Sequence, residues 1–214
     1  MLAPAYNYGP VVNHNPKVLV VTMGWHGDPS AELPEVQAFL RGLGTGADHW
    51  SKVVATYPHV VYPHHVYLGT WHDTKTFPVR ATLANFNAEA NRATAKFPKI
   101  KNLIVVLLPP PTSTLQQIDN ACAFHSYATY GPYVALGYGA NTGGCPNTDI
   151  QLSHEWAETL TDPDPVAPGW VAGDGNEVAD VCQTLPAGAV RFTTGTFSVA
   201  AVWNHKTKRC ATRA

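Results

Sequence analysis

Two runs rich in β-branched residues and leucine limit the architectures open to this chain: "KVLVVTMGW" over residues 17–25 and "KNLIVVLLPP" over 101–110. Each is continuous rather than alternating and suits a buried strand, and the prolines end the second. Between them lie the helical signals. "ELPEVQAFLRGLG" places Pro34 as an early helical residue with Gly42 or Gly44 as a stop, and Asp48 in "GADHWSKVVATY" stands as N-cap to a second short helix. "TLANFNAEANRATAKFP" is amphipathic and ends before Pro98. "HVVYPHHVYLGTWHD" alternates enough to predict a hairpin or an irregular strand pair. The order β-α-α-β-α-β predicts an α/β (α+β) fold, a mixed sheet with helices packed on it. Beyond residue 109 turn residues dominate, and "FTTGTFSVAAVWNHKTKRC" reads as a terminal β-hairpin. Residues 1–16 are expected to be a flexible start, with Met1 supplied after removal of a leader, and 17–214 a single domain.

The net charge of −1, with only 14 Lys and Arg, does nothing to draw the chain to nucleic acid or an anionic membrane. The longest apolar run is far shorter than the roughly 20 residues of a membrane helix. Four cysteines, Cys122, Cys145, Cys182 and Cys210, form no C-x-x-C pair, which disfavours a thiolate zinc cluster. An even count with low charge, 18 prolines and 17 glycines fits a secreted protein with two disulfides. Pairing Cys122 with Cys145 and Cys182 with Cys210 closes two loops of modest length and is the expected connectivity; four free thiols are the alternative.

No Lys or Arg occurs from Asn102 to Val190, although nine Asp and Glu do, and seven of these fall in the 26 positions from Glu155 to Asp180. Carboxylates held together repel unless a cation neutralises them, and here the sequence offers only histidines or a bound metal. Within this stretch "SHEWAETLTDP" carries His154-Glu155-x-x-Glu158. His154 and Glu158 share a helix face one turn apart, the spacing by which H-E-x-x-H helices give zinc two ligands. Glu155 is offset by about 100°, suited to a general base that takes a proton from the attacking water and passes it on. In "GNEVADVC", Glu177 lies 19 positions after Glu158, close to the separation at which peptidases resembling thermolysin supply a third ligand. Asp180 then stands as the partner that orients a ligating histidine, with one residue fewer between Glu and Asp than those enzymes use. A His-Glu-Glu set is harder than His-His-Glu, so Zn²⁺ is expected with Ca²⁺ or Mn²⁺ left open. Asp162, before Pro163, reads as a helix terminator or supporting residue, with replacement of Glu177 as ligand the alternative.

"CAFHSY" offers His125 and Tyr127 as donors to a developing oxyanion, against a purely structural reading for a lone histidine. His64, His65 and His72 favour a surface reading over a second metal site, Trp156 and Trp170 favour packing, and Ser153 reads as a helix start.

Taken in order, "VVTMGWHGDPS", "HWSKVVATY", "CAFHSY", "SHEWAETLTDP", "GNEVADVC" and "VWNHKTKRC" resemble the exordium, or phosphate-induced-protein, family of secreted proteins over residues 17–210. The resemblance implies secretion, paired cysteines and a site at His154, Glu155, Glu158, Glu177 and Asp180. It implies no particular reaction. Two functions are therefore expected from the residues: a secreted zincin-like metallopeptidase acting on a peptide or protein substrate, or an extracellular binding protein for a cell-wall polymer or receptor with a structural metal.

Overall fold

The structure is a computed structural model that describes residues 2–25, 32–113, 121–137 and 147–214. Its centre is a five-stranded mixed sheet in the order β3-β2-β4-β6-β5. Strands β2 (Lys17–Met23), β3 (Tyr67–Asp73), β4 (Leu103–Leu108) and β6 (Gly131–Leu136) run parallel, and β5 (Ala123–Ala128) pairs antiparallel with β6 at one edge. The fold is thus the mixed α/β arrangement that the element order predicts.

Strand period two explains why the two apolar runs lack alternation. Val18, Val20, Ile104, Val106 and Leu108 face one core, while Leu19, Val21, Leu103, Val105 and Leu107 face another. Helices α1 (Leu33–Gly42), α2 (Trp50–Val54) and α4 (Thr148–Thr161) cover the first face through Phe39, Trp50, Trp156 and Leu160. Helix α3 (Leu83–Lys96) covers the second through Phe86, Ala90 and Ala93. Each fully buried Val, Leu or Ile contributes about 1.5–3 kcal/mol, so the central strands need no polar face.

Local signals locate several boundaries. Pro34 sits in the first turn of α1, and Gly44 beyond its end has φ +71°, where a Cβ would strike the Pro63 carbonyl. The Asp48 carboxylate accepts from Ser51 N at 2.8 Å and from Gly44 N at 2.6 Å, so it holds the first turn of α2 from one residue before the N-cap, which is His49 rather than the expected Asp48. Asn85 reaches back to Thr82 N at 2.9 Å to start α3.

Elsewhere the structure departs from expectation. The stretch read as a strand pair holds one strand, β3, parallel to β2. Its first half turns instead, because Pro63 has no N–H to give a ladder and His59 and His65 take positive φ. The segment read as a flexible start carries β1 (Ala5–Tyr6), which pairs with β7 (Trp170–Val171). Tyr6 stacks on Trp170 at 5.3 Å, and Val12 N donates to Leu160 O. Gly169 permits this approach, since a Cβ there would meet the Thr161 and Pro10 carbonyls. The single terminal hairpin is two: β8 (Gly188–Phe192) with β9 (Gly195–Val199), and β10 (Val202–Asn204) with β11 (Arg209–Ala211). Asn204 Oδ1 accepts from Lys206 N and Thr207 N, a side-chain turn that starts the second. Among the described residues no helix is long and apolar enough to cross a membrane.

Candidate metal centre

Helix α4 begins at Thr148, five residues before the expected start, so Ser153 lies inside it. Ser153 is fully buried, donates to Ile150 O and accepts from Ala200 N. The sheet covers one side of α4 and the C-terminal hairpins the other, and nearly every residue from Thr148 to Thr161 is buried. Trp156 and Trp170 are packing residues, the latter held between Tyr6, Tyr57 and His205. A helix buried along nearly its whole length that still carries His154, Glu155 and Glu158 must satisfy those charges locally.

One turn of α4 brings His154 Nε2 to 3.2 Å from Glu158 Oε1. Asp180 Oδ1 completes the group at 3.2 Å from the same nitrogen, and Asp180 N donates to Glu158 Oε1 at 3.1 Å. Asp180 opens a short 3₁₀ turn, Asp180–Cys182, whose last residue is disulfide-bonded to Cys210 of β11. Trp203 N, donating to Val178 O, anchors the same loop. The sequence-based expectation gave Glu177 the ligand position and Asp180 the supporting one; the geometry instead gathers His154, Glu158 and Asp180, with Glu177 in a second group with His125 and Glu158. On a tetrahedral ion with donors at about 2.0–2.2 Å, neighbouring ligand atoms lie about 3.3–3.5 Å apart, close to the two 3.2 Å separations at His154 Nε2, and all three donors lie within 4.8 Å of one another.

His125 projects from the middle of β5 into the core behind this group. Its Nε2 donates to the Asp162 carbonyl at 2.9 Å and lies 3.2 Å from Glu177 Oε1, while Nδ1 lies 3.2 Å from Glu155 Oε2 and 3.8 Å from Glu158 Oε2. The ring is buried and both nitrogens are engaged, an arrangement that holds Glu155 rather than reaching into solvent. Asp162 ends α4 as expected, and its carboxylate accepts from Gly169 N at 2.9 Å. Tyr127 is exposed and lines a separate hollow of about 830 Å³ with Tyr130, Lys101 and Pro163. His64, His65 and His72 are exposed and belong to neither metal-ligand group.

The charges are strongly coupled. Burial favours neutral His154, but the Glu158 charge and the Asp180 hydrogen bond outweigh it and raise its pKa well above the ordinary value. Burial likewise opposes a charged His125, and Glu155 and Glu177 overcome it. Burial raises Glu158 and Glu177, whereas the hydrogen bond from His154 lowers Asp180. Burial lifts Asp162 to about 7, reinforced by its contact with Glu177. These directions describe carboxylates seeking a cation, and no Lys or Arg lies in the chain between 102 and 190 to provide one.

The group opens on a cleft of about 550 Å³ whose walls include His154, Glu155 and Asp180 beside Gln151, Ala123 and Leu185. Cys182–Cys210 is the pairing expected from loop length. Cys122 is also disulfide-bonded, and its expected partner, Cys145, lies outside the described residues. No family model matches the chain, and no curated protein or solved structure shows detectable similarity to it.

Proposed function

We propose that this chain is a metal-dependent hydrolase acting on peptides, with one divalent ion, zinc by first choice, held by His154, Glu158 and Asp180. The observation that carries the reading is the convergence of those three donors, two of which, His154 and Asp180, line a cleft that Glu155 also lines, with Glu158 buried behind them. A structural site closes its coordination shell, whereas this one pairs three protein donors with an adjacent carboxylate and room for a substrate. The ion would polarise the scissile carbonyl and acidify the attacking water. Glu155 accepts the proton of that water and delivers it to the leaving amine, and His125 holds the Glu155 carboxylate in place through the 3.2 Å contact.

The edge strand supports a peptide substrate. Among the described residues β5 pairs along one side only, with β6, and its first residue, Ala123, borders the cleft beside Glu155. An extended chain laid along the other side of β5 would bond backbone to backbone and pass over the three donors. Alanines on the cleft wall, Ala187, Ala200 and Ala201 among them, favour small side chains near the bond to be cut. The disulfide suits an oxidising compartment, and secretion is part of this reading, in keeping with the exordium-like resemblance.

A second reading rests on Tyr127 and Tyr130, which are 43% and 63% exposed beside the larger hollow. Flat aromatic faces near Asn13 and Asn102 suit the rings and hydroxyls of a wall polysaccharide, making the chain a binding protein braced by its metal. One comparison separates the two. Metal content and peptide hydrolysis are measured for wild type, Glu155→Gln and Glu158→Ala. The hydrolase reading expects the metal retained and turnover lowered about 10²–10⁴-fold in Glu155→Gln, with metal lost from Glu158→Ala. Metal retained with no peptide turned over by the wild type across a mixed-peptide library selects the binding protein.

A further inference from the structure

Glu158 faces two histidines at once. Its Oε1 lies 3.2 Å from His154 Nε2, and its Oε2 lies 3.8 Å from His125 Nδ1. The side chain between them is almost wholly buried, with 3% of its surface exposed. A carboxylate whose two oxygens address different imidazoles from inside the protein is placed to bridge.

The His125 side of the bridge has its own need for a cation. Donation of Nε2–H to the Asp162 carbonyl at 2.9 Å leaves Nδ1 turned toward Glu155 Oε2 and Glu158 Oε2. A neutral ring held so sets a nitrogen lone pair against carboxylate oxygens, which is repulsive until a proton or a metal lies among them. Glu177 Oε1 is buried and 3.2 Å from His125 Nε2, yet receives no well-aligned hydrogen bond, and an ion at Nδ1 would draw this carboxylate round the edge of the ring. Donor atoms of His125, Glu158 and Glu177 lie within 4.8 Å of one another, as do those of His154, Glu158 and Asp180. Charge points the same way. Glu155, Glu158, Asp162, Glu177 and Asp180 meet two histidines within this cluster. With neutral imidazoles a single divalent ion leaves the group strongly negative, and a second brings it close to balance.

We propose that the centre is dinuclear, with Glu158 bridging two divalent cations, one held by His154 and Asp180 and the other by His125 and Glu177. The proposal rests on the metal-dependent reading above and alters one part of it: the first ion borders the cleft, the second is buried beneath it, and His125 Nδ1 binds that second ion in place of the proton it would share with Glu155. Two-metal hydrolytic sites hold their ions about 3.5–4 Å apart, a separation that one carboxylate spans.

The test is zinc stoichiometry of the full chain after titration and gel filtration, counted by elemental mass spectrometry, in wild type, Asp180→Asn and Glu177→Gln. Each variant keeps side-chain shape and removes one ligand from one side, and circular dichroism confirms that each is folded. Two zinc per chain in wild type and one in each variant is the expected result. One zinc in wild type, kept in Glu177→Gln and lost in Asp180→Asn, overturns the second ion, leaves the single-ion reading standing, and shows that a proton on His125 Nδ1 faces the carboxylates instead of a metal. No zinc in wild type overturns both readings. Anomalous diffraction from zinc-loaded crystals gives an independent count, two peaks about 4 Å apart against one.

Discussion

Asp162 joins the cluster of histidines and carboxylates to the frame of the molecule through three of its atoms: its N–H closes α4, its carbonyl holds His125, and its carboxylate holds Gly169. Its pKa of about 7 sits well above the ordinary carboxylate value near 4. Between those two values the metal-free folded chain keeps a proton that the unfolded chain releases, so stability falls as pH rises through the window. His154 and His125, raised above the ordinary histidine value, act in the same direction: their contribution is full below about pH 6.5 and is lost as pH rises through their folded pKa values. In the presence of chelator the melting temperature should therefore fall from pH 5 to pH 8. Asp162→Asn keeps the Gly169 bond and loses the titrating proton, so its curve should be flatter; superimposable curves would remove Asp162 from the account. Added zinc should reverse the trend, because its ligands bind only when deprotonated.

At the level of elements, α4 differs from the other helices in being enclosed. Trp156 is fully buried against the sheet, and truncation leaves a cavity lined by rigid neighbours. Trp156→Ala should cost about 3–5 kcal/mol, read as a lower denaturant midpoint at unchanged slope. Leu83, at the start of α3 and 44% exposed, is the contrast: Leu83→Ala should stay within about 0.5 kcal/mol. A loss at Leu83 matching that at Trp156 would mean that α3 packs against a surface different from the one described. The start of α4 was not legible because Ser153 offers a good cap, while the side chain that organises the true first turn, Asp149, owes its position to a bond with Ser198 N from β9. Likewise β3 looks like half of a hairpin until its pairing with β2 is seen, since neither strand alone reports whether its neighbour is parallel.

Across the whole molecule, the C-terminal hairpins and the cluster of His154, Glu158 and Asp180 are one mechanical unit. Cys182 follows Asp180 in the same 3₁₀ turn, and Cys210 lies on β11, which pairs with β10. Replacing both cysteines with serine should lower stability by about 2–4 kcal/mol. It should also weaken zinc binding by more than tenfold at temperatures where the chain stays folded, because Asp180 loses the tether that aims it; a competition titration with a chromogenic chelator reads this directly. Unchanged affinity would show that the Glu158 and His154 contacts alone place Asp180. The parts legible in the sequence were those governed by short-range periodicity: β2 and β4 from continuous apolar runs, α1, α2 and α3 from their caps and stops, and the shared face of His154 and Glu158 from helical spacing. Which carboxylate stands third to that pair was decided only in three dimensions. Glu177 and Asp180 sit three residues apart on an irregular loop, where no repeat sets side-chain direction, and distant anchors at Cys210 and Trp203 turn Asp180 toward His154 and Glu177 toward His125.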